Sequence, residues 1–198
     1  YSLREALATA EAKGVAIPHF NIAELATLHA IVGVMREMKT AGDVTPVMIG
    51  VSEGERDFIG VNQAVALIRS FREEGLPVFL NADHTHSVEK AKEAIDAGFD
   101  EILFDGGKLP WGENVAQTKE VVAYARAKNI TILVEGELGY IGSSSEVRET
   151  LPEGAAINEE ELTKAEEAER FVQETGVDLL APAVGNVHGM FRGGVDPA

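Results

Sequence analysis

Histidines and carboxylates occur in this sequence at the ends of short apolar segments, where their side chains could share a site. Asp83 and His84 close one segment. Glu135 and Glu137 lie in another, and His188 follows a third. Two carboxylates on the same face of a buried strand are unfavourable unless a cation or hydrogen bonds satisfy them. Two imidazoles with carboxylates suit zinc or another divalent first-row metal.

Each histidine taken alone is explained as well by a structural hydrogen bond as by metal binding. His84 and His188 point to a metal site only together, because both are expected at the same edge as two acidic strand ends. We interpret His86 as a loop residue and His19 as a hydrogen-bonding group of that edge. His29 lies inside a helical pattern and is interpreted as structural.

Lysine is absent from all of the apolar segments, and this restricts the ways in which a carbonyl substrate could be activated. An enzyme that activates a ketone as an imine needs an amine beside its substrate. The nearest candidate, Lys108, lies in a polar loop. Activation of a carbonyl group would therefore depend on a metal acting as a Lewis acid.

Six apolar segments alternate with amphipathic helical patterns. They cover residues 15–20, 45–52, 76–83, 101–107, 130–139 and 178–185. Each is rich in Val, Ile, Leu or Phe, which is typical of strands covered on both faces. The alternation predicts an α/β fold with a parallel sheet, and units of roughly 30 residues predict a (β/α)8 barrel. Such a barrel typically needs about 250 residues, so we expect about six of its eight units here, with the C-terminal units missing.

An open doubly wound sheet is the alternative architecture. It would be expected to carry a glycine-rich phosphate loop after its first strand, but Phe20 is followed by Asn21 and Ile22. Residues 1–198 are predicted to form a single domain. The polar segment 142–157 lies between the last two apolar segments and makes the distance between them longer than the others. It is predicted to be a mobile loop beside the site.

Capping residues predict where several helices begin and end. Ser2 with Glu5 has the spacing of a capping box. Ser87 can cap a helix over 88–97 that ends at Gly98. A further amphipathic helix is predicted over 114–128.

The composition restricts the partners. The net charge of −16 disfavours nucleic acid and anionic membranes as partners. The chain has no cysteine, which excludes disulfides and thiolate ligands and fits a reducing compartment, so we expect a cytoplasmic location. No apolar run is long enough to span a bilayer, and residues 1–3 do not open a signal peptide.

Several motifs, in this order and at these distances, resemble the class II fructose-bisphosphate aldolases and their tagatose-bisphosphate relatives. The motifs are Phe20-Asn21, PVMIGVSEG (46–54), Asp83-His84, GFDEILFDGGKLPWGENVAQT (98–118), VEGELG (134–139) and TGVDLLAPAVGNVHGMF (175–191). The resemblance implies reversible, metal-assisted cleavage of fructose 1,6-bisphosphate to dihydroxyacetone phosphate and glyceraldehyde 3-phosphate. It also implies a homodimer or homotetramer that binds a phosphorylated sugar.

The resemblance assigns roles to residues of the predicted metal site. His84 and His188 resemble two of three zinc-binding histidines. Glu137 resembles a carboxylate that binds a second or alternative metal position, with Asp105 close to it. Asp83 resembles the catalytic acid that serves the aldehyde oxygen. Zinc is the expected metal, although cobalt, manganese or iron would accept the same ligands.

Further roles follow from the same resemblance. Asn21 and Ser52 resemble polar groups on the substrate side of the first two strands. Gly189 resembles a backbone contact to the phosphate or to a monovalent cation. Glu146 matches the glutamate that removes the substrate proton only after a shift of one residue, and an ordinary solvated loop glutamate is the alternative.

The sequence also departs from the family pattern. Thr85 follows the Asp-His motif, where a small residue is expected. The third histidine and the phosphate-binding segments, which follow strands 7 and 8 in the family, are not in this sequence. The alternatives are therefore another ketose-bisphosphate aldolase, a non-catalytic barrel fragment, or a metal-dependent sugar-phosphate isomerase or epimerase.

Overall fold

Helices and strands alternate along the chain, as the sequence predicts. The computed structural model describes residues 1–142, 147–148 and 162–191. The helices are α1 (Leu3–Lys13), α2 (Leu25–Thr40), α3 (Glu53–Ile59), α4 (Val61–Glu73), α5 (Val88–Ala97), α6 (Trp111–Lys128) and α7 (Ala165–Thr175). The strands are β1 (His19–Asn21), β2 (Val47–Ser52), β3 (Val78–Thr85), β4 (Glu101–Phe104), β5 (Leu133–Leu138), β6 (Val147–Arg148), β7 (Leu179–Pro182) and β8 (Met190–Phe191). Within the described ranges, no helix has the length and apolar character needed to cross a membrane.

Six parallel strands form one sheet in the order β1-β2-β3-β4-β5-β7. The short strands β6 and β8 pair with each other in parallel. A doubly wound sheet would reverse its strand order at a switch point, whereas this order follows the chain. The predicted α/β barrel fold is therefore confirmed in the form of a curled half-barrel with alternating helices.

The central strands β2 to β5 are largely buried, and a separate apolar cluster packs against each face of the sheet. Ile49 and Leu80 belong to the larger cluster, which joins the sheet to the helices outside it. Met48 and Phe79, which alternate with them, pack against Leu3 of α1 in the smaller cluster. Helix α1 therefore covers the amino ends of the strands and leaves the carboxyl ends for polar side chains.

The predicted helix boundaries are confirmed at α1 and α5. The backbone N–H of Ser2 donates to Glu5 Oε2 at 2.7 Å, and the N–H of Glu5 donates to Ser2 Oγ at 3.3 Å. Ser87 Oγ accepts from the N–H of Lys90 at 3.2 Å. Gly98 ends α5 with a φ of 105°, a region that glycine enters without steric cost.

Other predicted boundaries are shifted. Strand β1 begins at His19, later than predicted, because Pro18 has no N–H to donate to the ladder and Val15 is exposed. Helix α6 begins at Trp111, earlier than predicted, directly after Pro110. Of the segment 142–157, only Gly142 and Val147–Arg148 lie among the described residues, so its mobility stays a prediction.

Candidate metal centre

Polar side chains gather at the carboxyl-terminal edge of the half-barrel. Those predicted from the sequence are Asn21 on β1, Ser52 on β2, Asp83 and His84 on β3, Asp105 after β4, Glu137 on β5 and His188 after β7. The segment that carries His188 is tied to this edge, because its N–H donates to the carbonyl of Ile141 at 2.8 Å. In barrels of this type, active sites lie at the same edge.

His84 is the centre of the cluster. Its Nδ1 lies 2.9 Å from Asp105 Oδ2 and 3.4 Å from Glu137 Oε2. Its Nε2 lies 4.0 Å from Asp83 Oδ1. One ligand atom each from His84, Asp105 and Glu137 lies within 4.8 Å of the others, which is a separation that a single metal ion can bridge.

Two further histidines at this edge, His188 and His86, flank His84. The ring of His188 lies with its centroid 4.6 Å from that of His84, at an interplanar angle of 70°. The ring of His86 is 6.4 Å from His84, and its Nδ1 lies 3.5 Å from Asp105 Oδ2. His86 was interpreted as a loop residue, and it lies at the border of the cluster with its side chain half exposed.

The protonation of His84 and Glu137 reflects a surplus of buried negative charge. Burial alone would lower the pKa of His84, but the hydrogen bond to Asp105 and the charges of Asp83 and Glu137 raise that pKa to about 9. Burial, together with the charge of Asp105, raises the pKa of Glu137 to about 8. Burial and the neighbouring His84 both lower the pKa of His188. Without a metal ion, the cluster therefore takes up protons to offset its carboxylates.

The donor set and the space around it fit a divalent cation. Glu137 Oε1 is buried, and it finds no hydrogen-bond partner among the described residues. A Cβ at Gly107 would lie 3.0 Å from this oxygen and 3.4 Å from Asp105 Oδ1. The glycine thus leaves room beside two carboxylates, and imidazole with carboxylate oxygens is a donor set that zinc and similar metals accept.

Neighbouring amides hold two of these groups in place. Asn21 Nδ2 donates to Asp83 Oδ2 at 2.5 Å, which fixes one carboxylate oxygen of Asp83. Asn114 Nδ2, on α6, donates to the backbone carbonyl of Glu137 at 2.9 Å. The second hydrogen bond anchors the end of β5, where the side chain of Glu137 turns towards His84.

A second layer of polar side chains lies deeper in the half-barrel. Asn81, Glu101 and Glu135 come from adjacent strands β3, β4 and β5, and the first two are fully buried. Burial and the neighbouring charge of Glu135 raise the pKa of Glu101 well above its ordinary value. This shift favours the neutral form of Glu101, and Glu135, which shares a face with Glu137, takes part in this layer.

The remaining predicted site residues are placed as follows. Ser52 caps α3, and its N–H donates to Glu55 Oε2 at 2.8 Å. Gly189 precedes β8 with a φ of 106°. Glu146 lies outside the described residues. The roles of all three in substrate binding or proton transfer stay predictions.

An apolar cavity of about 820 Å³ lies elsewhere, on the helix side of the sheet. Leu28 of α2, Ile68 of α4 and the outward-facing Val51 and Leu80 line it. Its lining offers no cluster of titratable groups to act on a polar substrate, so we place the chemistry at the carboxyl-terminal edge of the half-barrel, which we call the rim.

Sequence reasoning missed three residues that shape the cluster. Arg56 on α3 is 2% exposed and bonds to the strand that carries His84. Asn114 and Gly107 act through the contacts described above. The run Asp105-Gly106-Gly107 was a signal for a close approach, because glycine is the residue used where neighbouring groups leave no room for a side chain. Arg56 gave no comparable signal.

A half-barrel with a cluster of histidine and carboxylate at its carboxyl-terminal rim defines a class of barrel protein with a candidate metal site. The sequence profile of the family described as "Fructose-bisphosphate aldolase class-II" matches residues 1–198. The chain belongs to this family, which is metal-dependent.

Individual relatives agree with this assignment. A 6-phospho-5-dehydro-2-deoxy-D-gluconate aldolase from Shouchella clausii is 39% identical over 191 residues, covering 94% of this chain and 60% of that protein. A fructose-bisphosphate aldolase from Staphylococcus aureus is 36% identical over 196 residues, covering 97% of this chain and 64% of that protein. The crystal structure of the YdjI aldolase from Escherichia coli superposes with a TM-score of 0.74 at 26% identity, covering 94% of this chain and 62% of that protein. The chain thus spans less than two thirds of the length of these relatives.

Proposed function

We propose that the protein catalyses the reversible, metal-assisted aldol cleavage of a phosphorylated ketose. The observation that carries this proposal is the convergence of His84, Asp105 and Glu137 within 4.8 Å of one another, with His188 against the same imidazole. The membership of the chain in the class II aldolase family supports it. The absence of lysine from strands β1 to β5 and β7, among the residues described, agrees with activation by a metal rather than by an imine.

His84, His188, Glu137 and Asp105 would hold the metal. Zinc is the first candidate, and cobalt, manganese or iron are alternatives for the same nitrogen and oxygen donors. When bound, a divalent cation supplies a Lewis acid that polarises the carbonyl group of the substrate. Asp105 Oδ2 also lies 2.9 Å from His84 Nδ1, and a carboxylate in this position helps to set the orientation of the imidazole.

Asp83 would transfer the proton at the hydroxyl group that becomes the aldehyde. In cleavage, a carboxylate oxygen of Asp83 takes the proton from this hydroxyl as the carbon–carbon bond breaks. In condensation, the same oxygen returns the proton to the aldehyde oxygen. Asn21 donates to Oδ2 of Asp83, so Oδ1 is the oxygen available for this transfer.

The other predicted residues complete the proposal. Glu146 is the proposed base that removes or returns the proton on the ketone half. Asn21 and Ser52 would contact the substrate, and Gly189 would contact a phosphate or a monovalent cation. Assembly as a homodimer or homotetramer is part of the same proposal.

Two kinds of substrate are candidates, and they share their ketone half. Fructose 1,6-bisphosphate is the first, with tagatose 1,6-bisphosphate as its stereochemical alternative. The relative with 39% identity makes 6-phospho-5-dehydro-2-deoxy-D-gluconate the second. Retro-aldol cleavage of each releases dihydroxyacetone phosphate, and only the aldehyde product differs. The clustered residues would serve the shared ketone half in both cases.

The test uses the purified full-length protein and measures dihydroxyacetone phosphate released from each candidate substrate. We expect one substrate to be cleaved, chelator to abolish cleavage, and zinc or cobalt to restore it. Borohydride should not trap the substrate on the protein. Cleavage that resists chelator and is trapped by borohydride would contradict the proposal.

A matched pair of variants adds a control. His84→Asn removes the central imidazole while keeping a residue that tolerates a positive φ, and it should abolish metal-dependent cleavage. His29→Asn changes an exposed histidine on α2 and should leave cleavage unchanged. Equal activity of the two variants would remove His84 from the proposed site.

A further inference from the structure

Arg56 places a buried guanidinium group directly behind the segment that carries Asp83 and His84. Its Nη1 donates to the carbonyl of Val51 at 2.6 Å and to the carbonyl of Asp83 at 3.0 Å. Its Nη2 donates to Thr85 Oγ1 at 2.8 Å. Arg56 thus connects the end of β2 to β3 on both sides of His84.

The segment that Arg56 holds has an unfavourable backbone conformation. His84 has a φ of 40°, in the left-handed region that residues with a Cβ rarely adopt. The pairing of β3 with β4 also shifts between Ala82 and Thr85. Such a conformation persists only where surrounding contacts impose it. The bonds of Arg56 to residues before and after His84 are contacts of this kind.

Thr85 is the side-chain partner of Arg56 on β3. Its side chain is fully buried, and its hydroxyl accepts from Arg56 and donates to the carbonyl of Ala82 at 3.1 Å. A smaller residue without a hydroxyl would leave Nη2 of Arg56 without this acceptor. Arg56 and Thr85 therefore form a matched pair, with one member on α3 and the other on β3.

Hydrogen bonds to neutral groups satisfy the buried guanidinium of Arg56. All three of its acceptors are oxygens of the backbone or of a hydroxyl group. Burying a guanidinium is costly, and this cost is offset only where its donors are well used. Glu53, also on α3, accepts from the N–H of His86 at 3.0 Å, so the same short helix holds the segment at a further point.

We propose that Arg56 is a positioning residue that, with Thr85, fixes Asp83 and His84 in the geometry required for metal binding and proton transfer. It acts through the carbonyl of Asp83 and the hydroxyl of Thr85, and it touches neither the metal nor the substrate. The proposal rests on the proposed aldolase function, and it extends the site to α3.

The test compares variants of the full-length protein after removal of metal. Co²⁺ is titrated and followed by its visible absorption, and kcat and KM are measured for the cleaved substrate. Arg56→Met should weaken Co²⁺ binding at least about tenfold, as is typical when a group that orients metal ligands is lost. It should also lower kcat by a larger factor than it changes KM. Arg69→Met, an exposed change on α4, should match the wild-type protein.

Two further variants separate positioning from folding. Arg56→Lys keeps the charge but offers a compact ammonium in place of the planar fork, so it should restore part of the affinity. Thr85→Val keeps Arg56 and should weaken Co²⁺ binding less than Arg56→Met. The double variant should lose less than the sum of the single losses, because both changes remove the same hydrogen bond.

Each outcome decides the question. Wild-type Co²⁺ affinity and kcat in Arg56→Met, with only a lower Tm, would reduce Arg56 to a structural residue and overturn the proposal. If Arg56→Met does not fold, Thr85→Val decides, and an unchanged Co²⁺ affinity there would also overturn it. If the wild-type protein binds Co²⁺ but cleaves none of the sugars, the proposed function fails while the effect on affinity still tests Arg56. If the wild-type protein binds no Co²⁺, both proposals fall.

Discussion

The imidazole rings of His84 and His188 lie with their centroids 4.6 Å apart, although one is on β3 and the other follows β7. Two protonated imidazoles at this distance would repel each other, which is why the charge on His84 lowers the pKa of His188. This pair links the middle of the sheet to its β7 edge. A cation that binds both rings requires both in the neutral form.

The metal-free protein should lose stability as the pH rises from about 6 to about 9. The pKa of folded His84 is about 9 against an ordinary 6.5, and that of Glu137 is about 8 against 4.5. The folded state therefore binds more protons than the unfolded state, so the free energy of unfolding falls with increasing pH. For His84, this stabilisation is complete below about pH 6.5 and is lost through its folded pKa.

Urea unfolding in the presence of chelator, at several pH values, measures this dependence. His84→Asn serves as the comparison, because its curve should be flatter over the same range. A midpoint that stays constant or rises towards pH 9 would disprove the assignment of the shifted protons to the cluster.

Gly107→Ala should weaken metal binding. The new Cβ would lie 2.8 Å from the carbonyl oxygen of Gly139 and 3.0 Å from Glu137 Oε1, so it would displace one of the proposed ligands. Gly112→Ala is the control, because nothing lies within 4 Å of its Cβ and alanine favours a helix over glycine. Co²⁺ titration of both variants should show a loss for Gly107→Ala alone, and equal affinities would refute the prediction.

Asp83→Asn should impair the reaction more than metal binding. An amide cannot exchange the proton at the substrate hydroxyl, so kcat should fall by about 10² to 10⁴. The proposed ligands are unchanged, so the Co²⁺ affinity should stay within about threefold of wild type, a difference of about 0.6 kcal/mol. Asp43→Asn, an exposed change, is the matched control. Retained kcat in Asp83→Asn would show that another group transfers the proton.

Asp178→Asn should destabilise the fold without affecting the chemistry. Asp178 accepts from Arg4 at 2.7 Å, from Arg126 at 2.6 Å and from the N–H of Val134 at 3.0 Å. Its side chain is 11% exposed and that of Arg126 is 26% exposed, whereas Arg4 is 45% exposed, so solvent screens the bond to Arg126 less than the bond to Arg4. The loss should be about 1–3 kcal/mol in the free energy of unfolding.

Asp96→Asn provides the comparison for stability. Asp96 pairs with Lys128 at the surface, where solvent screening leaves such an ion pair little net effect on stability. Denaturation curves of the two variants should differ clearly. A loss for Asp178→Asn no greater than that for Asp96→Asn would refute the role of Asp178 in joining α1, α6 and β5.

The convergence of the cluster followed from the sequence because the carboxyl ends of parallel strands meet at one edge. The strand assignments and the strand order are enough to bring Asp83, His84 and Glu137 together. Arg56 could not be found in this way, since an arginine in a helix normally lies in solvent, and its acceptors come from two strands, β2 and the irregular part of β3 around His84. The raised pKa of Glu101 depends on its burial by neighbouring strands, which cannot be read from the sequence of β4 alone.

The carboxylates of the rim impose an order of events on any phosphorylated ligand. Above about pH 8, where Glu137 is ionised, Asp83, Asp105 and Glu137 all present negative charge to it, and the chain carries a formal net charge of −16 at pH 7. A sugar phosphate that arrives before these groups are neutralised is repelled electrostatically. If the proposed function holds, we expect loading with a cation to precede capture of the sugar, and phosphate-bearing competitors should lose affinity once the protein is stripped of its ions.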